Sequence, residues 1–124
     1  MINGLLVDVE GTLSTVRIDD TNTITRLQSM REAIGCGYVE VLPMSDGVEC
    51  WVDEEGLYNA EFNPVLTRMA NRSRYTSPLL GAGLFLGGAD ATGATVSLTR
   101  EQMGAVTRWW IQATTRIAAE PATV

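Results

Sequence analysis

The chain contains no histidine and no lysine, and each absence removes a class of chemistry. Without histidine the commonest metal ligand and general base are missing, and neither a Ser-His nor a Cys-His nucleophile can be assembled. Without lysine, Schiff-base chemistry and the lysine of a phosphate loop are excluded. Cysteine is scarce: Cys36 and Cys50 stand apart, with no CxxC pair to suggest zinc or a redox couple. Their spacing permits a bridge, but two thiols in so short a chain read better as small buried apolar groups. Long hydrophobic runs are missing too, since none approaches the roughly 18 residues that cross a bilayer. The opening residues, Met1-Ile2-Asn3-Gly4-Leu5-Leu6-Val7-Asp8, have no basic stretch of the kind that begins a signal peptide. A cytoplasmic protein without a membrane partner is therefore expected.

What remains suits one folded unit. With 124 residues, 45% of them hydrophobic and 19% charged, the chain has enough apolar mass for one core and too little length for two. A single domain over residues 1–120 is expected, with residues 121–124 as a frayed tail. The net charge of −6 hides an asymmetry: residues 1–62 hold twelve acids and three arginines, residues 63–124 three acids and six arginines. The acidic total argues against nucleic acid as a partner, because affinity for a duplex rests largely on neutralised phosphates.

The clearest local signal lies between Gly37 and Gly56. Two β-rich runs, residues 38–42 and 48–52, flank Pro43 and Asp46-Gly47, and Asp-Gly supplies the positive-φ turn a hairpin needs. In the second run Val48, Cys50 and Val52 form an apolar set opposite Glu49 and Trp51. Upstream, residues 5–9 and 13–18 suggest a first hairpin. A helix over residues 23–34 follows, with Asn22 among its candidate caps, Gly35 at its end and Ile24, Leu27, Met30 and Ile34 as its buried stripe. Downstream, residues 57–62 look irregular or weakly extended. Asn63-Pro64 opens a short helix, residues 84–86 and 95–98 read as strands around a glycine-rich connector, and Thr99 with Gln102 forms a capping box. That box opens a long helix over residues 100–119, with Met103, Val106, Trp110, Ala113 and Ile117 as its stripe. The expected fold is α+β: a small antiparallel sheet of hairpins packed against a long C-terminal helix and one or two shorter ones.

Gly-Tyr-Val-Glu-Val-Leu-Pro at residues 37–43, the Asp-Gly turn, Val-Asp-Glu-Glu-Gly-Leu at 52–57, Asn63-Pro64, Leu80-Gly81 and Val96-Ser97-Leu98-Thr99 occur in order. Over residues 35–105 the chain thereby resembles the family called domain of unknown function 3846, small proteins of phages, plasmids and bacteria, notably actinobacteria and their phages. The resemblance implies a mobile-element setting and an accessory role, and it implies no reaction. The basic loop over residues 72–78 and the final helix with its two tryptophans depart from the usual pattern.

Candidate chemistry is sparse. Asp53-Glu54-Glu55 reads as a solvated strand end, and Asp8 with Glu10 has the form of a DxE pair on one strand face but lacks a second acidic cluster for metal work. Gly87-Gly88 and Gly93 lack the Gly-Lys-Ser/Thr ending of a phosphate loop. The segment from Asn63 to Tyr75 holds the best candidates: Asn63 at a helix start, Arg68 and Arg72 four residues apart, then Arg74 and Tyr75. These residues either hold a phosphate or carboxylate, or the arginines pair with the acidic N-terminal half, within a subunit or across a dimer. On the last helix, Arg108, Trp109 and Arg116 form either an interface patch or the shoulder of a broad buried face. No metal, cofactor or catalytic residue is expected. The leading expectation is a non-enzymatic phage or mobile-element protein, homodimeric, that binds a host protein. The alternatives are a nucleotide-type ligand binder and a structural homo-oligomer.

Overall fold

The computed structural model describes residues 1–89 and 93–120. The chain opens with β1 (Ile2–Val7) and β2 (Leu13–Ile18), paired antiparallel from Ile2 opposite Ile18 to Val7 opposite Leu13. Asp8 and Glu10 lie in the connecting turn rather than on a strand face. There the Asp8 carboxylate accepts hydrogen bonds from the backbone N–H groups of Glu10 and Thr12, each at 2.9 Å. Helix α1 (Thr23–Ile34) begins where the Asn22 side chain accepts from Thr25 N–H at 2.8 Å, and ends at Gly35 with φ of 81°. Its buried stripe is shorter than expected. Met30 and Ile34 join Ile18, Leu84 and Leu86, whereas Ile24 is 79% exposed. Only the C-terminal half of the helix lies over apolar sheet.

β3 (Val39–Pro43) and β4 (Val48–Asp53) form the central hairpin. Asp46 and Gly47 take φ of 60° and 71° in its connecting 3-10 turn, as the Asp-Gly pair dictates. The segment expected to be irregular contains one helical turn, α2 (Gly56–Asn59), followed by α3 (Pro64–Asn71), β5 (Gly83–Gly87) and α4 (Arg100–Ala119). At the start of α4 both arms of the capping box form: Thr99 Oγ1 accepts from Gln102 N–H at 3.1 Å, and Gln102 Oε1 from Thr99 N–H at 2.9 Å. The strand expected at residues 95–98 does not form. β5 already has partners on both sides, so Val96 makes only a single bridge to Gly87, while Ser97 and Leu98 bond to Asn3. The expected frayed tail and residues 90–92 of the glycine-rich connector lie outside the described residues.

The five strands make one antiparallel sheet in the order β2-β1-β5-β4-β3. β5 runs through its centre and every one of its residues is buried. α1 covers one face with a core of Met30, Ile34, Ile18, Leu84 and Leu86; α3 and α4 cover the other, around Leu66, Met69, Phe85, Val106 and Trp109. This is the α+β domain expected, with helices on both faces. α4 is tied at both hairpin turns: Gln102 Nε2 donates to Asp46 O at 3.0 Å and Trp110 Nε1 to Gly11 O at 2.7 Å. Both cysteines are free thiols. Cys50 is fully buried on the α3/α4 side, where burial pushes its thiol pKa upward, and Cys36 packs on the α1 side, so a bridge would have to cross the sheet. Among the described residues no helix is long and apolar enough to cross a membrane.

Two positions test this packing. A Cβ at Gly4 would stand 2.5 Å from the Phe85 carbonyl oxygen and 2.6 Å from Leu86 Cδ2. Backbone in the middle of a sheet does not yield, so Gly4→Ala is expected to cost about 3 kcal/mol in urea unfolding. Glu49 lies beside Trp51 on β4 with one carboxylate oxygen buried and unpartnered, and burial raises its pKa above the ordinary glutamate value. The folded protein therefore holds this proton more tightly than the unfolded chain does. Its contribution favours the fold at low pH and is lost as pH rises from the ordinary glutamate range through the raised pKa. Glu49→Gln should flatten the stability profile across that window and make the variant more stable than wild type at pH 7. A variant less stable than wild type at pH 7 would contradict this.

Candidate functional site

The site begins with two helix starts that the sequence specifies locally. In α3, Pro64 occupies the first helical position and Asn63 Oδ1 accepts from Leu66 N–H at 3.0 Å. Val65, Leu66, Met69 and Ala70 point into the core, which leaves Arg68, Asn71 and Arg72 on the flank beside α4. In α4 the buried stripe is Ala105, Val106, Trp109 and Ala113. It shares Val106 and Ala113 with the expected stripe, while Met103, Trp110 and Ile117 pack partly buried beside it and Trp109 takes the buried place expected of Trp110. Trp109 is only 4% exposed and belongs to the core, so it is not an interface anchor; Trp110 is half-buried, with its indole N–H held at the β1–β2 turn. The i, i+4 steps from Ala105 to Trp109 to Ala113 put the larger ring against α3.

α3 and α4 run antiparallel, and along their flank lies a groove of about 560 Å³ lined by Arg68, Asn71, Arg72, Gln112, Ala113 and Arg116. The Arg72 guanidinium sits 5.7 Å above the Trp109 ring and donates to Gln112 Oε1 at 2.5 Å. Held on two sides yet exposed to solvent, it has little rotamer freedom left to lose. Arg68 is ion-paired with Glu120 at the end of α4, both side chains being about one-third to one-half exposed. Such a pair contributes roughly 0–1 kcal/mol, so an incoming anion displaces it at small cost. Arg116 has no carboxylate partner among the described residues. Three guanidinium groups against one exchangeable carboxylate make the groove electropositive. Forked donors of this kind bind phosphate and carboxylate oxygens in pairs.

The expected site residues thus separate. Arg68 and Arg72 come together in the groove, joined by Arg116 from the expected interface patch. Asn63 is buried completely and its amide is spent on backbone groups, so it faces no ligand. Arg74 takes φ of 65° in the turn after α3 and does not line the groove. Tyr75 lines a different cleft, with Val52 and Leu57. Arg108 is exposed in a depression beside Asp46 and Gln102. Pairing of the arginines with the acidic N-terminal half is not seen within the chain: among the described residues the ion pairs are Arg68 with Glu120 and the Met1 amino group with Asp20. Asn71 and Gln112 were not anticipated as lining residues. Gln112 and Arg116 are four apart on α4, the same signal that singled out Arg68 and Arg72, but only the antiparallel docking of the helices joins the two pairs.

A family model described as "Domain of unknown function (DUF3846)" matches residues 2–111, which takes in the first hairpin, α1 and most of α4. Neither the curated proteins nor the solved structures contain a match to the chain.

Proposed function

Starting from a chain that belongs to the DUF3846 family, whose description assigns no activity, we propose that this protein acts by binding, without catalysis, and that the α3–α4 groove takes a small phosphorylated molecule of nucleotide type. The observation that carries this reading is the convergence of Arg68, Arg72 and Arg116 with only Glu120 as counter-charge. Asn71 and Gln112 add neutral hydrogen-bonding groups beside the arginines, as an attached sugar or base would require. The test is calorimetric titration with inorganic pyrophosphate and with ADP at low ionic strength. Saturable one-site binding that weakens with added salt is expected; no heat with either compound would end the proposal.

A host-protein partner is the second reading, favoured by Tyr38, Leu57, Tyr58 and Phe62, which stand more than half exposed away from the groove. Either mode fits an accessory protein of a phage or other mobile element working in a bacterial cytoplasm, the setting that the family resemblance implies.

A further inference from the structure

At the far end of the sheet from β2, strand β3 has only one neighbour among the described residues. Tyr38 O accepts from Glu54 N–H at 3.0 Å and Met44 N–H donates to Val48 O at 2.8 Å, so residues 38, 40, 42 and 44 turn their backbone groups toward β4. In an antiparallel ladder the intervening Val39, Val41 and Pro43 then present theirs outward. The outer edge offers three carbonyls and two N–H groups, Pro43 having none. It carries no lysine to blunt it, and Val41 is 38% and Tyr38 57% exposed along it. On the α3/α4 face, beside Glu40, lies a cleft of about 350 Å³ walled by Val52, Leu57, Tyr75 and Leu79, with Glu40 and Glu54 also in its lining.

The charge around this edge selects the occupant. Between Arg31 and Arg68 the chain has eight acids and no base, and Glu40, Glu49, Asp53 and Glu54 all belong to the β3–β4 hairpin or follow it directly. A second copy adding to the same edge would set two acidic hairpins against each other. We infer that β3 is a docking edge for an extended basic segment of another protein, which adds as a sixth strand and seats an aliphatic side chain in the cleft between flanking arginines or lysines. Backbone pairing supplies the affinity in this mode, and the cleft with its carboxylates supplies the selection. The surface shares no lining residue with the arginine groove; it gives the host-protein reading a location and stands independently of anion binding.

The experiment is fluorescence anisotropy with a labelled eleven-residue peptide of alternating arginine and valine, alongside its glutamate-for-arginine counterpart. Saturable binding of the basic peptide alone, weakened by salt, is expected. Val41→Pro removes an outward N–H that the sheet does not use and should reduce binding at least about tenfold. Leu57→Arg, at a side chain 75% exposed, removes the apolar wall of the cleft and sets a like charge against the basic peptide without touching the core, so it should do the same and decides the matter should Val41→Pro misfold. Equal binding of both peptides, no binding of the basic one, or unchanged binding by the variants would overturn the inference. A doubled mass in light scattering that Val41→Pro abolishes would overturn it as well, by making the edge self-pairing.

Discussion

Asn63→Ala is expected to be among the most destabilising single substitutions in the chain, at about 3–4 kcal/mol. The residue is fully buried, and its amide joins three parts of the fold at once. Oδ1 caps α3 through Leu66 N–H at 3.0 Å, while Nδ2 donates at 2.9 Å to the carbonyls of Asp8 beyond β1 and Gly81 ahead of β5. Alanine removes the cap, worth about 1 kcal/mol, and strands two carbonyls at about 1–3 kcal/mol each before relaxation. In a domain of this size the melting temperature should fall by more than about 10 °C. Asn63→Asp separates the contributions. It keeps the capping acceptor but turns an acceptor toward two carbonyl oxygens, so it should be no more stable than the alanine variant. Full rescue by aspartate would mean that only the cap matters.

Arg72→Ala should weaken pyrophosphate binding by about 30-fold, the loss of one charge-assisted bidentate contact of about 2 kcal/mol. Because its guanidinium is already braced by the Trp109 ring and Gln112, Arg72→Lys should recover little of that loss: an ammonium cannot reproduce the fork or the stacking. Glu120→Gln is expected to act in the opposite sense. It releases Arg68 from its internal carboxylate and should tighten binding by up to about fivefold, the worth of an exposed ion pair. A general change in net charge would move both variants only slightly and could not separate arginine from lysine at position 72. Calorimetry of the four proteins under one salt condition checks the pattern. Equal affinity for wild type and Arg72→Ala would reject the groove as the binding site.

Local signals in the sequence were reliable wherever a residue acts on its own neighbours. The Asn22 and Asn63 caps, the Asp-Gly turn, the Thr99–Gln102 box and the alternation of β4 all need only short-range chemistry, and each forms as read. What failed depended on how elements meet. Trp109 and Trp110 differ by one position on a helix, and which of them is buried is settled by where α3 docks and by the Gly11 carbonyl that receives the Trp110 N–H. Ile24 fits an apolar stripe but lies off the end of the sheet face that α1 covers. Residues 95–98 have strand character but lie beside β5, which β1 and β4 already flank, so only the bridge from Val96 to Gly87 forms. The groove was half legible for the same reason. Arg68 and Arg72 announce themselves by spacing, whereas Arg116 reaches them only across an antiparallel helix pair.

The absence of lysine makes one measurement especially direct, since every cationic side chain is one of nine arginines. Side-chain Nε–Hε resonances of those arginines, followed by NMR during titration with pyrophosphate, report each candidate separately. Saturating shifts confined to Arg68, Arg72 and Arg116, together with the indole signal of Trp109, are the predicted result. Small shifts spread without saturation over Arg17, Arg26, Arg74 and Arg108 as well would contradict a built anion site.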